Sequence, residues 1–314
     1  MTDARSTPAE RKAGTSSLML FLIPSVIWGT TWLAIKFQLG FVPPEVSVAW
    51  RFGLASLLLL GWCVIRGVPL RFTARDHRRL AVLGLLLFGL NYVLVYRSEQ
   101  HLTSGLVSVV FALLVFWNLL GARLFFGTPA PRAVIVGAAL GFAGVALLFW
   151  PEVRSAGSGA GQGAGIALAL VATGVASAGN LYSQRLFGTG IAVVPGTAVA
   201  MGYASLAVTG WCLATGVELS FDPRPAYVLS LAYLAILGSV VAFVSFLTLL
   251  HRIGAGRSGY TAAVIPVVAM LASTVFEGYR WSLAALAGMA LVVAGTVFVL
   301  RVKESAAHAV ARRG

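Results

Sequence analysis

The sequence predicts an all-α integral membrane protein of ten transmembrane helices, arranged as two five-helix repeats of inverted topology. Three observations predict it. The 314 residues are 59% hydrophobic and only 11% charged, with a mean hydropathy of +0.89, whereas a soluble domain carries about 25% charged residues. The apolar residues fall in ten continuous runs near the roughly 20 residues a helix needs to cross the hydrocarbon core, without the alternation of a membrane barrel. The chain also repeats itself. "ASLLLLGWC" at 55–63 returns 149 residues later as "ASLAVTGWC" at 204–212, with the only two cysteines, Cys63 and Cys212, in equivalent places.

The elements follow in order. Residues 1–17 are polar and form a tail. Span 1 (18–37) is longer than the apolar region of a signal peptide and has no cleavage pattern nearby, so it is retained. Spans 2 to 5 are 45–65, 80–96, 105–125 and 133–150, and complete the first repeat, 18–150. The Gly-rich stretch 151–164 has the composition of a flexible linker. Spans 6 to 10 are 165–184, 196–215, 226–250, 256–276 and 281–300, which make the second repeat, 165–300. A basic tail, 301–314, closes the chain. On a shift of 151 residues "GAALGFAG" (137–144) falls on "GMALVVAG" (288–295), matching Gly137 with Gly288 and Gly144 with Gly295. Five spans is an odd number, so the second copy must enter the membrane from the opposite side, an architecture that marks secondary transporters. The two cysteines are then small packing residues of one ancestral span, expected near opposite surfaces. The glycines allow helices 5 and 10 to approach closely, within the chain or across a homodimer.

Charge sets the orientation. With the amino terminus inside, seventeen Lys and Arg fall in inner segments and four in outer loops (Arg97, Arg154, Arg224 and Arg280). Basic residues concentrate on the cytoplasmic side, so both termini are expected there. The net charge of +13 is spread over short loops, which argues against a nucleic-acid surface. Two cysteines provide neither a disulfide framework nor a metal site, and no cofactor is implied.

"WGTTWLAIKF" (28–37), "VAWRFGLASLLLL" (48–60) and "PVVAMLASTVFEGYRWSLAALAGMALVVAGTVFVL" (266–300) resemble the EamA family of the drug/metabolite transporter superfamily. The resemblance covers nearly the whole chain. It implies a ten-helix exporter of small metabolites, often amino acids, with helices 1, 3, 4, 6, 8 and 9 around a central cavity and helices 5 and 10 at the periphery. The family's Glu at the end of span 9 is Glu277, but Phe126 stands at its counterpart in span 4; Pro266 likewise has Val115 as counterpart.

The candidate substrate residues are those whose chemistry does not suit lipid. Trp28, Thr31 and Trp32 share one side of span 1, a stacking wall or ordinary packing. Asn91 in span 3 and Asn180 in span 6 need hydrogen-bond partners or a watery cavity; Tyr92 and Ser177 stand beside them. Arg51 lies about 9 Å into span 2. It could grip a substrate carboxylate through its bidentate fork, or snorkel toward Glu45 or bond helix carbonyls. Pro266 removes a hydrogen bond near the middle of span 9. Glu277 is a candidate for gating or coupling. All ten acidic residues, with His101 and His251, sit in tails, loops or at span ends, so weak or no obligatory proton coupling is expected.

Two other classes of function compete. "GRSG" (256–259) with His251 nearby mimics a hydrolase nucleophile at Ser258, though no catalytic residue is assigned. A channel would want a ring of like charges or a filter loop, and neither is visible. Among transporters of the same fold, a sugar, nucleotide-sugar or drug carrier is the alternative; a nucleotide-sugar would call for several cavity cations, and only Lys36 and Arg51 lie within spans. The expected partners are a small-molecule substrate and the lipid bilayer.

Overall fold

Lipid offers the backbone no hydrogen bonds, so an apolar chain that closes no barrel must be helical. The computed structural model describes residues 8–127, 132–148, 150, 160–243, 245, 246, 249 and 261–311, and among them there is no strand. The elements are α1 (Pro8–Lys36), α2 (Pro44–Ile65), α3 (Ala74–Gly84), a π-helical segment (Leu85–Leu90), α4 (Asn91–Glu99), α5 (Ser104–Phe111), α6 (Leu114–Phe126) and α7 (Arg132–Leu148). They continue as α8 (Ala160–Phe187), α9 (Val193–Ala214), α10 (Pro225–Ala232), a second π segment (Tyr233–Val241), α11 (Thr261–Phe276) and α12 (Leu283–Ala311). Six helical stretches among the described residues are long and apolar enough to cross a membrane, and four shorter apolar ones accompany them. All fall on the apolar runs of the sequence. The chain is a multi-pass, all-helical membrane protein.

Three boundaries differ from expectation. Helix α1 begins at Pro8 within the expected tail, α8 at Ala160 within the expected linker, and α12 runs on to Ala311, past the expected end of span 10 at Leu300. The residues added to α1 and α12 include Ala, Glu, Lys and Arg, good helix formers, so there helix and hydrophobicity do not stop together. The rest of the linker and the Ser258 motif lie outside the described residues.

Two helix pairs carry the packing, and both are reciprocal. On α2 and α9, Ser56 Oγ donates to Ala198 O at 2.7 Å and Ser205 Oγ donates to Ala49 O at 2.8 Å. A Cβ on Gly53 would meet Ser205 Oγ at 2.8 Å, and one on Gly202 would meet Ser56 Oγ at 2.9 Å. Each partner in one contact is the 149-residue equivalent of a partner in the other. On α7 and α12, a Cβ on Gly288 would meet Gly144 O at 2.5 Å and one on Gly295 would meet Gly137 O at 2.7 Å. The glycine faces of these two helices are therefore occupied by each other.

The cysteines also separate as expected. Cys212 lies within electrostatic reach of Glu45 at the start of α2. Cys63 lies on α2 itself, eighteen residues from Glu45, which is about 27 Å along a helix. Both thiols are free and buried, and burial together with low-dielectric packing is what suits an inert cysteine.

Candidate substrate site and ion cluster

The second π segment shapes the site. A π turn carries an extra residue and leaves carbonyls without their usual helical donors. Here Gly238 O accepts the Trp28 Nε1 proton at 3.1 Å, and Ser239 Oγ reaches back to Leu234 O at 2.9 Å. Thr30 Oγ1 lies 2.6 Å from the Tyr233 hydroxyl, which ties α1 to the same segment. Gly238 has no side chain to spare: a Cβ there would sit 2.8 Å from Thr31 Cγ2 and 3.6 Å from Arg51 Nη2. Trp28, Thr31 and Arg51, from α1 and α2, thus converge on one glycine of span 8.

Arg51 is 1% exposed. Its guanidinium carbon lies 4.6 Å from the Tyr92 ring centre and 5.1 Å from that of Phe52, and Tyr96 is beside it. Yet Nε and Nη1 have no hydrogen-bond partner among the described residues. Snorkelling toward Glu45 does not occur. The two residues are six apart, about 240° around a helix of 3.6 residues per turn, and Glu45 instead accepts from Arg97 Nε at 2.6 Å. Donors of a buried cation left open on an aromatic cradle suit an anionic group, and no described carboxylate comes within hydrogen-bond distance of them.

The other candidates divide. Trp28 also stacks edgewise on Phe243 at 5.4 Å, and Trp32 lies 4.9 Å from Phe111 with its indole nitrogen buried and unpartnered among the described residues. Thr31 is tied to Trp28 O at 2.8 Å. Asn91 Nδ2 donates within its own helix to Leu87 O at 3.2 Å, leaving Oδ1 open. Ser177 and Asn180 stand on α8, which packs on α4, α5, α6 and the first π segment. Pro266 is buried within α11, a helix packed on α1. Two recesses of about 500 Å³ and 420 Å³ lie elsewhere, between α2, α9 and α10 and between α4 and α9; their linings contain none of the candidates.

A cluster of ionisable residues that sequence reasoning did not assemble lies next to this group. Lys36 Nζ donates to Glu99 O at 2.5 Å and to Leu102 O at 2.6 Å, and stands 3.9 Å from Glu277 Oε1. Glu277 in turn accepts from Ser104 N at 3.1 Å and from Ser104 Oγ, capping α5. The ends of α1, α4, α5 and α11 are thereby fastened together. Glu99 is 0% exposed, and neither carboxyl oxygen has a partner among the described residues. Glu99 ends α4, outside the middle of a span as expected, yet four helix ends close over it.

The EamA-like transporter family matches the chain twice, over residues 15–150 and 163–301. The chain belongs to the EamA-like transporter family. The chain is similar to the uncharacterized inner membrane transporter YedA of Escherichia coli K12, 28% identical over 275 residues that cover 87% of each chain. The uncharacterized transporter YvbV of Bacillus subtilis is 27% identical, covering 96% of this chain and 95% of its own. Protein PagO of Salmonella typhimurium is 22% identical over 84% of this chain and 86% of its own. A solved crystal structure of a protein 19% identical superposes with a TM-score of 0.66, covering 90% of this chain and 96% of the other; it shares the fold. The family match, with the transporter names of the Escherichia coli and Bacillus subtilis relatives, marks the chain as a membrane transporter.

Proposed function

We propose that the protein is a secondary exporter of small anionic or zwitterionic metabolites, amino acids foremost, across the cytoplasmic membrane, and that Arg51 holds the substrate carboxylate. The observation that carries this reading is the buried guanidinium with two open donor atoms against Tyr92 and Phe52. Trp28, Thr31 and the Gly238 backbone bound the same spot and supply an apolar, partly aromatic wall. A nucleotide-sugar is a poorer fit, since Lys36 is held by carbonyls and Glu277, leaving one cation for two phosphates.

Ten spans in two inverted repeats supply the moving parts. The reciprocal Ser–carbonyl contacts of α2 and α9, and the reciprocal glycine contacts of α7 and α12, are what a pseudo-two-fold axis in the membrane plane produces. Alternating access then follows from rocking one repeat against the other. The excess of inner basic residues puts both termini in the cytoplasm and the Lys36–Glu277 cluster at the outer mouth. A homodimer through helices 5 and 10 would have to use faces other than the glycine ones.

The test separates recognition from folding. Replacing a buried ionic group by an apolar side chain of similar volume is often neutral or stabilising, so Arg51→Met is expected to keep or raise thermal stability in detergent. It should at the same time abolish the growth protection that overexpression gives against toxic amino acids and analogues. Loss of stability together with transport would assign Arg51 to packing instead.

A further inference from the structure

The enclosed Glu99 carboxyl raises a question the substrate site does not answer. An ionised carboxylate removed from water needs donors, and this one has none on either oxygen among the described residues. The titratable and charged groups that face it are Lys36 from α1, Arg51 from α2, Tyr96 one turn back on its own helix, and Glu277 after α11. Lys36 is already taken up by the Glu99 and Leu102 carbonyls and by Glu277. Tyr96 donates to Gln38 Oε1 at 2.6 Å, and Arg51, though it faces Glu99, makes no hydrogen bond to either carboxyl oxygen. The closed arrangement therefore suits a neutral carboxylic acid at Glu99, not an anion.

We propose that Glu99 is a proton-binding site that latches the cluster: the neutral acid keeps it shut, and release of the proton to water opens it. On ionisation the carboxylate competes with Glu277 for the one ammonium group of Lys36. Two carboxylates then repel across a shared cation, and the bond that holds the end of α1 to α11 and α5 weakens. Opening admits water to Glu99, which favours the charged form; taking up a proton from that side reverses the step. Protons bind the closed form better, so acidity on that side favours closure and alkalinity favours opening. This latch rests on the alternating-access reading above but not on Arg51. It goes beyond the expectation of weak or no obligatory proton coupling.

The experiment reads conformation, so no substrate is needed. In a Cys63→Ser, Cys212→Ser background, spin labels placed at the exposed positions Gln100 and Arg280 report the distance between the α4–α5 turn and the end of α11 in lipid nanodiscs. Between about pH 5 and about pH 9 the ratio of long to short distances should rise by up to about tenfold per pH unit, as one linked proton requires. Glu99→Gln, which fixes the neutral shape, should stay short throughout. Glu277→Gln, which removes the competitor and the α5 cap, should show long distances even at the acid end. A pH-independent distribution in the unmutated residues, or a pH response that persists in Glu99→Gln, overturns the latch. Either result leaves the Arg51 reading standing, because that is judged by transport.

Discussion

At Gly238 a single hydrogen atom in place of a methyl group keeps three parts of the site together. A Cβ would meet Thr31 Cγ2 at 2.8 Å, closer than real Cβ contacts allow, and touch the Arg51 guanidinium at 3.6 Å. Gly238→Ala is therefore expected to reach the membrane at near-normal levels but to lose most substrate protection, measured as drug or analogue resistance normalised to protein amount. A variant with full transport would show that the converging residues are packing alone. Arg51 was visible in the sequence as a charge within an apolar run, and Lys36 and Glu277 were visible too. Glu99 was not, because a glutamate at the end of a span is read as facing water. Only the closure of four helix ends over it makes it a buried acid.

At the scale of helices, close approach sets the tolerance. On α7 and α12 a side chain at Gly288 would collide with the backbone of Gly144 and Leu148, at 2.5 Å and 2.8 Å. Backbone cannot yield as a rotamer can, so Gly288→Leu should destabilise by at least the ~1–3 kcal/mol typical of overpacking, seen as a lower melting temperature in detergent. Gly61→Leu is the control, since nothing lies within 4 Å of a Cβ there. Melting temperatures that match would remove α7–α12 packing as a source of stability. The π segments belong to this scale as well. They occupy equivalent positions of the two repeats, Leu85–Leu90 and Tyr233–Val241, yet no residue type in either announces them. An extra residue per turn is accommodated by neighbouring helices, and the apolar period alone does not encode it.

For the whole molecule, the repeat predicts where things cannot meet. Cys63 and Cys212 should not crosslink within one chain under oxidant, because a disulfide needs Cα atoms within about 7 Å and these thiols stand toward opposite ends of α2. A Ser56→Cys, Gly202→Cys pair should crosslink readily, since those residues touch; the reverse pattern would be incompatible with the antiparallel α2–α9 crossing. Membrane-impermeant labelling should reach the 66–79 loop and both termini only from the cytoplasm. Labelling from outside would invert the protein and turn the Lys36–Glu277 cluster into an inner latch.

The sequence by itself determined the class, because continuous apolar runs leave a chain no stable solvent but lipid; two opposed halves are what its twice-written motif predicts across an odd number of spans. It also singled out Arg51, because one guanidinium among apolar neighbours is conspicuous in any fold. The tertiary structure alone decided what those residues face. Whether Arg51 meets Glu45 depends on an angle of rotation around a helix, and whether Glu99 meets water depends on four helix ends from distant parts of the chain. Linear order carries the cost of burying a charge, but the partners that offset that cost, or withhold it, are set only when the helices are packed.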